Sequence, residues 1–92
     1  MLEHVDEFRS HCRDVGVGSR DKVADSITSY VSYLERASRI ASEAINPATL
    51  RREQDLTRIA SKLTRAGVNR RSVNNIKSAM RRYVGMVERY GL

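Results

Sequence analysis

Residues 69–90, NRRSVNNIKSAMRRYVGMVERY, decide the fold. Val73, Ile76, Met80, Tyr83, Val84 and Val87 follow one another at the spacing of one face of an α-helix. Opposite that stripe fall Arg71, Asn74, Asn75, Ser78 and Arg82, with Arg70, Lys77 and Arg81 beside them. One side of such a helix packs a core, while the other offers guanidinium, ammonium, amide and hydroxyl groups to a polyanion. Asn69 is placed to cap its start and Gly91 to close it. Gly85 inside it costs about 1 kcal/mol relative to Ala, which points either to a neighbouring helix in close approach or to a helix that weakens towards its end.

Upstream, Leu56, Ile59, Ala60, Leu63 and Ala66 form a second stripe within residues 52–66, with Gly67 as its stop. Asn46-Pro47 reads as a break and a restart. Asn46 caps, Pro47 takes the first helical position, and a short helical turn is expected over residues 47–51. The longest stripe, from Val23 through Ile27, Tyr30, Val31, Leu34, Ala37, Ile40 and Ala41 to Ala44, predicts a helix over residues 20–44, with Ser19 as its cap and Asp21 in its first turn. Its polar side carries Ser26, Ser29, Ser32, Tyr33 and Arg36; the serines either bond their own carbonyls four residues back or contact phosphate. Leu2, Val5, Phe8 and Cys12 predict an amphipathic helix over residues 2–14, stopped by Gly16 and Gly18. No stretch alternates like a strand and none repeats. The fold class expected is all-α, a compact bundle of four to five helices in a single domain, residues 1–92.

Ninety-two residues support only a small core, and with four Tyr, one Phe and no Trp it must be filled largely by aliphatic side chains. The net charge of +6 is unevenly spread: residues 1–46 hold six cations against eight anions, residues 47–92 eleven against three. Arg outnumbers Lys fourteen to three, which favours planar, bidentate contact with phosphate or base edges. No acidic residue lies between positions 56 and 87. Base-edge reading needs an oriented Asn or Arg whereas phosphate contact needs only reach, so phosphate contact is the stronger expectation.

Several chemistries find no support. The lone Cys12 cannot form an internal disulfide, which points to a reducing compartment. Leu2, Glu3 and His4 after Met1 begin no signal peptide, and no apolar run is long enough to span a bilayer, so a cytoplasmic location without a membrane partner is expected. His4 and His11 are seven residues apart and Cys12 adjoins His11, too few ligands for a metal site. Nucleophile elbow, Gly-rich phosphate loop and paired carboxylates are all missing. Neither a cofactor, a metal nor an enzymatic activity is expected.

The order of short helix, Gly-rich turn, long helix bearing SITSYVSYL at residues 26–34, Asn-Pro break, LTRIASKL at 56–63, glycine and NRRSVNNIKSAMRRYV at 69–84 resembles the N-terminal core-binding domain of tyrosine recombinases and phage integrases, a SAM-like helical bundle. The family's long second helix carries Thr, Tyr and Leu four residues apart, positions matched by Ser26, Tyr30 and Leu34. Its last helix carries a Thr and later Ala-Leu-Arg followed by Tyr, matched by Ser72, Ala79, Met80, Arg81 and Tyr83.

The resemblance implies that the second and last helices face double-stranded DNA. Arg70, Arg71, Asn74, Asn75, Lys77, Ser78, Arg81 and Arg82 would contact phosphates and the major groove, joined by Ser26, Ser29 and Tyr33. In a recombinase this domain precedes a separate catalytic domain, and with the sequence ending at Leu92 no strand-cleaving activity is expected unless the chain is a fragment of a longer protein. Tyr30 and Tyr83, on apolar stripes, read as core rings with hydroxyls at the boundary, and Tyr90 lacks the Arg and His set that activates a tyrosine nucleophile. The expected function is that of a DNA-binding module accessory to a DNA-processing system, in recombination by a phage or mobile element. The alternative is a protein-interaction module, a small inhibitor or assembly factor whose basic face docks an acidic protein surface. The opposite charges of the two halves leave head-to-tail pairing into a homodimer open.

Overall fold

Four apolar helical stripes in one short chain can be buried only against one another. The computed structural model describes the backbone of residues 1–15 and 23–92 and the side chains of residues 1–14 and 27–92. It contains α1 (Val5–Val15), α2 (Val23–Ala41), α3 (Glu53–Arg65) and α4 (Arg70–Tyr90). No strand occurs among the described residues; the only β-type pairing among them is an isolated bridge between Leu2 and Ile45. The fold is the all-α bundle expected. The proposed cap at Ser19, the acid at Asp21 and the glycine stop at Gly16 and Gly18 lie outside the described residues.

α4 packs against all three other helices, and α2 meets α1 and α3. The shared core holds Phe8, Leu34, Leu56, Ile59, Leu63, Ile76, Met80, Tyr83 and Met86 with no exposed surface. Burial of each large apolar side chain contributes roughly 1.5–3 kcal/mol. With three neighbours, α4 needs a wider apolar arc than its expected stripe. Ala79 and Met86 are buried as well, while Val84 is only half-buried.

The helix ends explain where the structure departs from the expected bounds. α2 stops at Ala41 rather than at residue 44, because Ser42 takes a left-handed conformation (φ 55°). The amide of Glu43 then bonds the Ser38 carbonyl (3.2 Å) and that of Ser42 the Arg39 carbonyl (3.3 Å), a Schellman closure. α3 ends in the same way on Gly67 (φ 90°), with Val68 N–H on the Leu63 carbonyl at 3.1 Å. Here glycine carries the positive φ at no steric cost. At its other end α4 is capped by Asn69, whose side-chain oxygen accepts from the Ser72 amide at 2.9 Å.

The turn expected over residues 47–51 is a single closed turn, not a helix. Asn46 Oδ1 accepts from the amides of Ala48 (2.8 Å) and Thr49 (3.0 Å), and the Asn46 carbonyl accepts from Leu50 N–H (2.9 Å). It goes no further because the next two amides, of Arg51 and Arg52, are taken by Asp55 Oδ2 at 3.0 and 3.2 Å. Arg52 is consequently extended (φ −136°, ψ 168°), and α3 starts afresh behind it.

α1 likewise begins at Val5 rather than at residue 2, because residues 1–3 are used elsewhere. Glu3 N–H bonds the Ile45 carbonyl (2.9 Å) and Ile45 N–H bonds the Met1 carbonyl (2.7 Å), so the N-terminal segment clasps the α2–α3 connection. The terminal ammonium also reaches Ser38 Oγ, whose hydroxyl donates to the Glu43 carbonyl at 2.7 Å. Beneath this clasp lies Tyr83. Its hydroxyl is not at a boundary, as its stripe suggested, but fully inside, donating to the Glu3 carbonyl (2.9 Å) with the Ile45 carbonyl at 3.4 Å. Burial pushes the phenol's pKa upward, and Glu3 and Glu7 add to the shift.

Tyr83→Phe keeps the ring and removes the donor to the Glu3 carbonyl, while the Ile45 carbonyl keeps the Glu3 amide. We expect a loss of about 1–3 kcal/mol in urea unfolding with the m-value unchanged; a loss within error of zero would mean that the phenol holds nothing. Ser42→Gly relieves a left-handed serine whose strain is roughly 1–2 kcal/mol, against an entropic cost for glycine of about 0.5–1 kcal/mol. A net gain of about 0.5–1 kcal/mol should appear as a melting temperature several degrees higher.

Candidate nucleic-acid interface

The fourth helix turns its polar arc outward because its apolar arc is held on three sides. Arg70, Arg71, Asn74, Asn75, Ser78 and Arg81 are exposed along it, and Lys77 and Arg82 are half-buried on its two flanks. Ser78 hydroxyl donates to the Asn74 carbonyl at 3.3 Å, the backward bond a helical serine makes. Ser29 is exposed on α2 and Tyr33 half-buried against the core; the side chain of Ser26 lies outside the described residues.

Two hollows flank the α4 crest. Towards α2, Ser78, Arg81 and Arg82 meet Tyr30 around a depression of about 410 Å³. Ser29, Tyr30 and Tyr33 occupy one arc of about 100° on α2, so the expected α2 residues share the flank that borders it. Towards α3, Asn74 and Lys77 face Thr57, Ser61, Thr64 and Arg65 across a groove of about 400 Å³. This α3 rim was not expected. Its signal was present as Thr57, Ser61 and Thr64 at steps of four and three beside Arg65, a polar stripe opposite the apolar one.

The fold also sorts the cations. Although no acid lies between positions 56 and 87 in sequence, Glu43 arrives from the end of α2 and binds both Arg58 (2.8 Å) and Lys62. The hydrogen bond from Arg58, with that from Lys62, holds the Glu43 carboxyl below the usual carboxylate range despite its burial. Arg89 pairs with Asp14 at 3.1 Å, and Arg81 approaches Glu53 at 3.7 Å. Both are exposed pairs worth less than about 1 kcal/mol, so Arg81 swings free readily. Among the described residues Arg65, Arg70, Arg71, Lys77 and Arg82 form no ion pair.

Behind the crest, Gly85 answers its own question. A Cβ there would stand 3.2 Å from His11 Nε2, a crowded contact, so the glycine eases the close approach of α1. His11 is buried, edge-on to the Tyr90 ring at a centroid separation of 6.0 Å, and its Nδ1 has no hydrogen-bond partner among the described residues. Desolvation, then Arg89 and Arg82, lower its pKa below 6.5. Burial pushes the neighbouring Cys12 thiol up to about 11. No cluster of three or more His, Cys, Asp or Glu able to hold a metal exists among the described residues. No helix among them is long and apolar enough to cross a membrane.

The four-helix arrangement with a cationic final helix defines the class as a SAM-like all-α module. Residues 19–90 match the model of the phage integrase N-terminal SAM-like domain, and the chain belongs to that family. In phage integrases this family forms the N-terminal domain, separate from the catalytic one, which links the chain to DNA recombination. Among curated proteins and among solved structures, no match to the chain was found.

Because the folded state keeps His11 neutral, the unfolded chain takes up its proton first as pH falls. Its contribution to stability is therefore complete above pH 6.5 and is lost as pH drops through that value towards the depressed native pKa. Melting temperature should fall between about pH 7.5 and about pH 5.5, and His11→Leu should flatten that slope. An equally steep slope in the variant would assign the dependence to another group.

Proposed function

We propose that this chain binds double-stranded DNA with α4 lying along the major groove, as an accessory module of a recombination system. The observation that carries the reading is the α4 crest. Arg70 and Arg71 stand exposed with no carboxylate partner among the described residues, next to exposed Asn74 and Asn75. Guanidinium groups bind phosphate or guanine edges in bidentate fashion, and the amide of Asn matches an adenine edge. The α2 flank, with Ser29, Tyr33 and Arg82, adds contacts to one backbone strand. Membership of the integrase N-terminal family supports DNA as the polyanion. The cations engaged by Glu43 contribute to the fold and not to this surface.

The test is a salt series of binding to a mixed-sequence duplex, with an acidic protein as control. The log–log slope should correspond to several released counterions and fall by about one for each of Arg70, Arg71 and Arg82 replaced by Gln. Binding to the acidic protein that equals or exceeds binding to DNA would instead establish a protein-docking module whose basic face meets an acidic partner.

A further inference from the structure

We infer that the groove between α3 and α4 seats a phosphodiester backbone, so that the duplex is gripped on both sides of α4. This rests on the reading of α4 as the DNA-contacting helix and adds a second strand contact to it. The groove walls are Thr57, Ser61, Thr64 and Arg65 from α3 and Asn74 and Lys77 from α4, with Ala60 and Val73 also lining it. No carboxylate lines it among the described residues. Arg65 and Lys77 carry no ion pair among the described residues, whereas Arg58 and Lys62 on the same helix are held by Glu43. The Thr64 hydroxyl is spent on the Ala60 carbonyl at 3.1 Å, which leaves Thr57 and Ser61 as the hydroxyl donors for phosphate oxygens. Two cations, two hydroxyls, an amide and an apolar lining suit an anionic diester with a deoxyribose attached.

The dimensions agree. A helix with its side chains is about 10–12 Å across and the major groove about 12 Å wide. Strands that bound a groove filled by α4 therefore run over its flanks, one above the Tyr30 and Arg82 depression and the other above the α3 groove. The exposed crest of α4 between the two hollows would face the bases.

Site-directed crosslinking separates this claim from the broader one. Cys12 is buried with a thiol pKa raised to about 11, so at neutral pH a maleimide benzophenone labels an introduced surface cysteine selectively. In the full chain bound to duplex DNA, S29C and S61C should each give adducts, on opposite strands, and Arg65→Gln should lower the salt slope by about one while Arg13→Gln leaves it unchanged. Adducts from S29C with none from S61C, or both on the same strand, or an Arg65→Gln slope equal to that of Arg13→Gln, would overturn the α3 seat and leave α4 as the binding helix. Protection of the S61C label by a polyglutamate peptide and not by DNA would overturn it too, giving the groove to an acidic protein. Absence of salt-dependent duplex binding by the unsubstituted chain would bring down the reading of α4 and this inference with it.

Discussion

The hydroxyl of Tyr83 is the point on which three remote parts of the chain meet. From the middle of α4 it reaches the carbonyls of Glu3 and Ile45, which are themselves joined through the amide of Glu3. Both carbonyls lie in backbone outside the four helices; the Ile45 carbonyl also has the Glu3 amide, whereas the Glu3 carbonyl depends on the phenol, and a buried acceptor without a donor would cost about 1–3 kcal/mol. Because the clasp is satisfied from below, residues 1–3 can leave the helix that their sequence pattern favours. The α2–α3 connection, fixed by the same clasp, delivers Glu43 to Arg58 and Lys62.

That delivery shapes the surface as much as the core. A count of charges along the sequence treats every Arg as equal, yet Arg58 and Lys62 on α3 share one partly buried carboxylate, while Arg70 and Arg71 at the start of α4 have none among the described residues. The first pair anchors α3 to the end of α2. The second pair projects from a helix whose position is fixed by packing on three sides.

The helices, their apolar faces and the cationic crest were legible in the sequence because each depends on spacing within a few turns. Asn69 as the cap of α4 and Gly67 as the stop of α3 are local signals of the same kind. What could not be read depends on partners distant in sequence. The extended N-terminal segment answers to Ile45, the interrupted turn after Asn46 to Asp55, and the reason for Gly85 to His11 on another helix. Ser42 is a different case: a left-handed serine gives no compositional warning, since glycine is the residue that such a position advertises. The α3 rim was visible as a polar stripe, but only the packing of α3 beside α4 turns that stripe into the wall of a groove.

The helix that presents the cationic crest is also the one that touches every other helix, and this sets how the module can adapt. A recognition element hung on a loop can reshape itself around its ligand and loses conformational entropy in doing so. α4 has no such freedom, because shifting it would open contacts with α1, α2 and α3 together. Its backbone arrangement is fixed at folding, so little ordering cost remains for the encounter, and only its long side chains adjust. If α4 enters DNA as proposed, any mismatch of shape falls to the duplex: sequences whose groove width and bendability already suit a rigid rod would be favoured over those that must be deformed, even at positions no side chain reaches.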